Sequence, residues 1–170
     1  MMQEQNDKPI YPTRKRNRLE GYDYSAAGMY FITICIRNKE KLLGSISDGD
    51  DHNPPKMRYS SLGHVIDQQI RSINRAKHVH VEKYVIMPNH IHMILSVEDD
   101  THEKELPENA VIPRTIGGFK RICHKRIGAN VFQRSYYDHI IRDQHHFEII
   151  WNYIEDNPRR WKEDCFYVAD

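Results

Sequence analysis

The chain has 170 residues, a formal net charge of +1 and three cysteines. That length suits one domain with a core of its own, and no apolar run is long enough to span a bilayer. Cys35, Cys123 and Cys165 are widely separated, odd in number and without Cys-x-x-Cys spacing, which argues against a disulfide framework or a zinc ribbon. The polar start lacks a signal-peptide core, so the expectation is a cytoplasmic protein with a flexible leader over 1–13 and a single domain over 14–170.

The first clear element is Tyr30 to Arg37, where Tyr30, Ile32, Ile34 and Ile36 form one apolar face of a strand. Lys41 to Ser47 reads as a shorter strand, followed by a polar loop from Ser47 to Pro55. Ser60 or Ser61 can cap a helix that buries Leu62, Val65, Ile66, Ile70 and Ile73 and ends near Ala76. Val81 to Met87 reads as a strand, and the turn at Pro88 and Asn89 leads into a second strand, the two forming an antiparallel hairpin. In that second strand Ile91, Met93, Leu95 and Val97 share an apolar face, so His90 and His92 stand on the opposite one. His-x-His pairs arise about 0.7 times by chance in a chain with this many histidines, so the apolar back face is what distinguishes this pair from His78 and His80.

The tract from Val97 to Glu108 is acidic and patternless. A second helix is expected from about Thr115 to Gly128, burying Ile116, Phe119, Cys123 and Ile127. Tyr137, His139 and Ile141 alternate as an edge strand, and a last helix is capped by Asp143 and ended by Pro158. This order predicts an α+β fold: an antiparallel sheet with helices gathered on one face, of the ferredoxin-like or split βαβ kind.

Charge is segregated even though its total is small. From Pro113 to Arg142 seven bases face the single acid Asp138, and Arg14, Lys15, Arg16 and Arg18 form a second basic cluster. Such clusters suit a phosphate-binding face, although solvated helix faces look similar. On the last helix Tyr153 and Asn157 are four residues apart and share a face. Tyr153 can act as a nucleophile toward phosphorus, and Asn157 can offer an amide oxygen to a hard cation. Asn157 precedes a proline, which disfavours helical geometry and leaves its direction open.

Four segments in order resemble the single-tyrosine, insertion-sequence type of single-strand DNA transposases in the HUH superfamily, the bacterial REP-associated tyrosine transposases in particular. They are Arg18-Leu19-Glu20-Gly21-Tyr22-Asp23-Tyr24-Ser25 with Tyr30-Phe31-Ile32-Thr33; Met87-Pro88-Asn89-His90-Ile91-His92; Phe132 to Arg142, with its Tyr136-Tyr137 pair; and Tyr153-Ile154-Glu155-Asp156-Asn157-Pro158. The resemblance runs from about Arg14 to Trp161. It implies that His90 and His92 are paired metal ligands, Asn157 a third ligand and Tyr153 the nucleophile, with Mg²⁺ or Mn²⁺ as cofactor. It further implies cleavage of single-stranded DNA at or near hairpin or palindromic repeats through a 5′-phosphotyrosine intermediate, in a nucleoid-associated bacterial protein acting as a monomer or homodimer.

Candidate DNA contacts are Arg14, Lys15, Arg16, Arg18, Lys120, Arg121, Lys125, Arg134 and Arg142, with Tyr136 or Tyr137 stacking on an unpaired base. Tyr137 is the rival nucleophile, disfavoured because only Ile141 lies one helical turn beyond it. Two other functions fit the same residues. One is a single-strand or hairpin-binding regulator that lost the chemistry, and the other is a metallohydrolase that uses water.

Overall fold

A computed structural model describes residues 26–49, 53–98 and 110–169. The leader over 1–13, the basic residues Arg14, Lys15, Arg16 and Arg18, and nearly all of the acidic tract lie outside the described residues. The main sheet is built from β1 (Gly28–Cys35), β4 (Val79–Ile86), β5 (His90–Val97) and β6 (Tyr137–Ile141). Its order is β4-β5-β1-β6 with every neighbouring pair antiparallel. Strands β1 and β4 therefore run parallel with β5 between them, the split βαβ arrangement expected from the sequence. Two short strands, β2 (Gly44–Ile46) and β3 (Met57–Tyr59), pair only with each other.

Among the described residues three α-helices complete the fold: α1 (Ser61–Ile73), α2 (Val111–Ile127) and α3 (Gln144–Asp156). The crossover helices α1 and α2 pack on one sheet face. There Ile66, Ile70, Ile112, Ile116 and Phe119 meet Tyr30, Ile32, Ile34, Ile91, Met93 and Leu95 in the larger core. The alternation that predicted this face holds, because each of those six strand residues is fully buried. Helix α3 does not join them. It covers part of the opposite face, where Ile150 and Ile154 pack with Ile94 and Ile141 in a smaller cluster. The gathering of helices on one face thus describes the two crossover helices, and α3 follows an edge strand that delivers it to the other side.

Local signals account for the boundaries. The Ser60 hydroxyl accepts from the Gly63 amide at 3.1 Å, and the Asp143 carboxylate accepts from the His146 amide at 2.8 Å, each supplying the acceptor that a first helical turn lacks. Helix α2 ends at Gly128, whose φ of 78° lies in the left-handed region open to glycine. It starts at Val111 rather than near Thr115, because Pro113 falls in the first turn, where no amide hydrogen is needed. Strand β3 was not expected: three residues after a proline-containing loop show too little alternation. No described helix is long and apolar enough to cross a membrane.

Candidate active site

His90 and His92 enter the site from β5, a strand with neighbours on both sides. The turn before it is closed by the Met87 amide donating to the His90 carbonyl at 2.8 Å. In the register His92 lies opposite Thr33 of β1 and Val85 of β4, with Phe31 and Ile94 on the same face. The imidazole rings of the two histidines are 4.5 Å apart between centroids. Both are buried, at 0% and 2% exposure, so the face that the pattern left open is in fact covered.

Two elements provide the cover. Helix α3 brings Tyr153, whose hydroxyl is 3.2 Å from His92 Nε2, and the other ring nitrogen of His92 is 2.8 Å from the Thr33 hydroxyl. Phe31 stacks on the His92 ring at 5.2 Å and meets the Tyr153 ring edge-on at 6.1 Å. Lys83 of β4 pins this helix by pairing with Glu155 and placing its ammonium 4.1 Å over the Trp151 ring. After α3 the chain turns through a single 3₁₀ turn, Trp161–Glu163, and returns across the histidines. Phe166 packs 4.7 Å from the His90 ring, and Asp164 places Oδ2 3.7 Å from His90 Nε2.

Asp164 is the site residue that the sequence did not reveal. It sits beside Glu163, an equally acidic residue that is exposed and pairs with Arg160. Only the turn at Trp161–Glu163 separates the two fates. The Phe166 amide donates to Asp164 Oδ1 at 2.6 Å, which holds the carboxylate with its second oxygen toward His90. His90, His92 and Asp164 each offer a ligand atom, and these atoms lie within 4.8 Å of one another. Asn157 lies beside the Tyr153 hydroxyl, one helical turn further along α3. Despite the proline after it, the residue keeps helical angles (φ −54°, ψ −43°) and is buried.

The donor set suits a hard divalent cation. His90 Nε2, Asn157 Oδ1 and Asp164 Oδ2 are buried and make no hydrogen bond. Buried acceptors without partners are unfavourable by roughly 1–3 kcal/mol each, and a shared cation would relieve all three. Burial pushes the His90 imidazolium down to about 3, and burial together with His90 holds His92 well below the usual histidine range. Both rings are therefore neutral near pH 7 and keep lone pairs for coordination. The Tyr153 phenol is pushed up, first by burial and then by the negative charge of Asp164, while its neighbour Asn157 works the other way. Without a cation, this tyrosine is harder to ionise than a free one.

The structure thus brings His90, His92, Tyr153 and Asn157 together within one chain. It distributes the other candidates differently. Tyr137 is 51% exposed, on the histidine face at the sheet edge, with its ring 6.3 Å from Phe166. Tyr136 packs against the larger core. Arg134 and Arg142 are exposed, the first before β6 and the second just after it. Arg121 and Lys125 are exposed on α2 and so stand across the sheet from the histidines. Lys120, a candidate DNA contact in the sequence, instead turns its ammonium onto the carbonyls of Gln133 and Ser135 at 2.8 and 2.9 Å. Its amine is pushed down to about 8 by burial, and it serves the segment leading into β6 rather than an open surface.

No family model matches the chain. An uncharacterised protein of Haemophilus influenzae is 33% identical over 175 residues, covering 91% of this chain and 93% of that protein. The structure of a REP-associated tyrosine transposase bound to a REP hairpin has the same fold at a TM-score of 0.60. It covers 85% of this chain and 74% of that one at 18% identity.

Proposed function

For a chain that belongs to one family with the Haemophilus influenzae protein, we propose the function of a metal-dependent single-strand DNA endonuclease and strand transferase, with Tyr153 as nucleophile. The observation that carries this reading is the approach of the Tyr153 hydroxyl to His92 beside three buried acceptors that lack hydrogen bonds. His90, His92, Asn157 and Asp164 would hold Mg²⁺ or Mn²⁺. When bound, the ion would supply positive charge to polarise a scissile phosphate. In the tautomer that leaves His92 Nε2 unprotonated, its one lone pair can serve a cation or the Tyr153 proton but not both. A filled site therefore frees the phenol from the imidazole.

In this reading the Tyr153 oxygen bonds to phosphorus, the bond from phosphorus to the 3′ oxygen breaks, and that oxygen leaves with a proton as a 3′-hydroxyl. The ester retained on Tyr153 is a 5′-phosphotyrosine, and a second 3′-hydroxyl can reverse the step and join strands. The DNA partner is single-stranded DNA with hairpin or palindromic repeats, a reading supported by the REP hairpin held by the transposase of similar fold. Exposed Tyr137, Arg134 and Arg142 lie on or beside the edge strand that approaches the site, where they suit base stacking and phosphate contact. Such a protein would work at the nucleoid in the cytoplasm.

The test is incubation with hairpin-bearing single-stranded oligonucleotides and Mn²⁺, followed by denaturing electrophoresis. A covalent protein–DNA adduct that is absent from Tyr153→Phe is the expected result. Cleavage that persists in Tyr153→Phe but not in His90→Ala would replace the tyrosine with a water nucleophile. Binding without any adduct across a broad set of hairpins would leave a DNA-binding regulator.

A further inference from the structure

His92 meets two hydroxyl groups, each able to donate or accept, so its neighbours do not dictate which ring nitrogen carries the proton. His90 is different. Its Nδ1 lies 2.9 Å from Oδ1 of Asn89, the residue immediately before it. Consecutive strand residues point to opposite faces, and this contact exists only because Asn89 lies in the turn and not in β5. The backbone of that turn is pinned: the Asn89 carbonyl accepts from the Ile36 amide at 2.8 Å and the Pro88 carbonyl from the Leu43 amide at 3.0 Å. Asn89 itself is 1% exposed.

The orientation of the Asn89 amide is fixed by its other contacts. Its Nδ2 donates to the Lys39 carbonyl at 3.2 Å and to the Phe166 carbonyl at 2.8 Å. A flipped amide would set an oxygen against two carbonyl oxygens, so Oδ1 must face His90. An oxygen there can only accept, which places the proton of the neutral ring on Nδ1. The lone pair then belongs to Nε2, the atom that faces the Asp164 carboxylate.

We propose that Asn89 is a positioning residue that holds His90 in the Nδ1–H form with its Nε2 lone pair directed into the candidate metal site. The seated segment through Phe166 keeps the Asn89 amide in the orientation this requires. The proposal rests on the reading of His90 as a ligand. Partners of this kind set the tautomer and ring angle of ligating histidines, and their loss weakens metal binding by roughly 10–100-fold. Without Asn89 the ring is free to move its proton to Nε2 and donate to Asp164, which occupies both ligand atoms at once.

Long-range ¹H–¹⁵N spectra of the metal-free, ¹⁵N-histidine-labelled protein read the tautomer directly, and Mn²⁺ titration by calorimetry reads affinity. Wild-type protein should show His90 as Nδ1–H. Asn89→Ala should populate the Nε2–H form and bind Mn²⁺ about 10–100-fold more weakly. Asn89→Asp keeps the acceptor toward His90 but sets its second oxygen against the Lys39 and Phe166 carbonyls, so it should keep the Nδ1–H form at reduced folding stability. Nε2–H in the wild type, or in Asn89→Asp should Asn89→Ala fail to fold, overturns the proposal. So does a folded Asn89→Ala with unchanged tautomer and affinity. A wild type that binds no Mn²⁺ removes the ligand reading as well, whereas wild-type binding left intact in Asn89→Ala removes only the role of Asn89.

Discussion

The hydroxyl of Tyr153 and Nε2 of His92 stand 3.2 Å apart although 61 residues separate them in the chain. Tyr153→Phe removes one partner of that contact from a side chain that is 39% exposed. The loss should lower stability by no more than about 1 kcal/mol, since one partly solvated hydrogen bond is involved. Adduct formation should disappear while Mn²⁺ binding, measured by calorimetry, persists. Tyr137→Phe should keep the adduct, because no described contact joins that hydroxyl to either site histidine.

Asp164→Asn tests the residue that the chain's return segment supplies. Removing its charge takes away the second cause of the raised Tyr153 pKa, so the phenol should ionise at lower pH in the metal-free protein. An absorbance titration, differenced against Tyr153→Phe, isolates this tyrosine from the others. Mn²⁺ affinity should fall at the same time, by roughly tenfold or more. A phenol that titrates unchanged would contradict the placement of the carboxylate.

Stability should decline as pH falls from about 6.5 toward 3. The folded-state pKa of His90 is lowered from 6.5 to about 3 by burial, and that of His92 is lowered too. The unfolded chain therefore binds more protons than the folded one within this window, and the stability present above pH 6.5 is lost on acidification. Each histidine contributes a slope of up to about 1.4 kcal/mol per pH unit. Urea midpoints across this range, compared with those of His90→Gln, provide the measurement. An equal decline in both proteins would assign the acid sensitivity elsewhere.

Asp143→Ala removes the cap of the helix that carries Tyr153. The expected loss is about 1 kcal/mol in urea denaturation. Adduct yield should be preserved under conditions where the protein stays folded, because Lys83 still holds the far end of α3 through Glu155 and Trp151.

Much of this was legible because β1 and β5 alternate cleanly. One face of each is apolar, which fixes the side on which both histidines stand. Asp143 and Pro158 bracket α3 by capping chemistry alone, and Gly128 ends α2 for the same kind of reason. Asp164 was not legible: nothing in Lys162-Glu163-Asp164 separates a buried ligand candidate from a solvated acid until the turn after Trp161 directs one inward. Lys120 was misleading for a related reason. Helical periodicity places it outside, yet its long stem lets the ammonium fold back onto carbonyls of a segment 13–15 residues away. The position of α3 also depended on topology. Its amphipathic face is evident, but the side of the sheet it joins follows from leaving β6 at an edge.

The strand order divides the site mechanically. His90 and His92 ride on β5, which is laddered to β4 on one side and β1 on the other and backed by the larger core. Tyr153 belongs to a helix seated on a smaller cluster, with four buried members among the described residues, and Asp164 to the segment that follows it. Amide hydrogen exchange should therefore show β5 opening only with global unfolding, and α3 with residues 161–167 opening at lower free energy as a separate cooperative unit. One half of the candidate site is thus held by the sheet on both sides and the other half by the smaller cluster, so under the proposed function a DNA strand could displace the second half without disturbing the histidines.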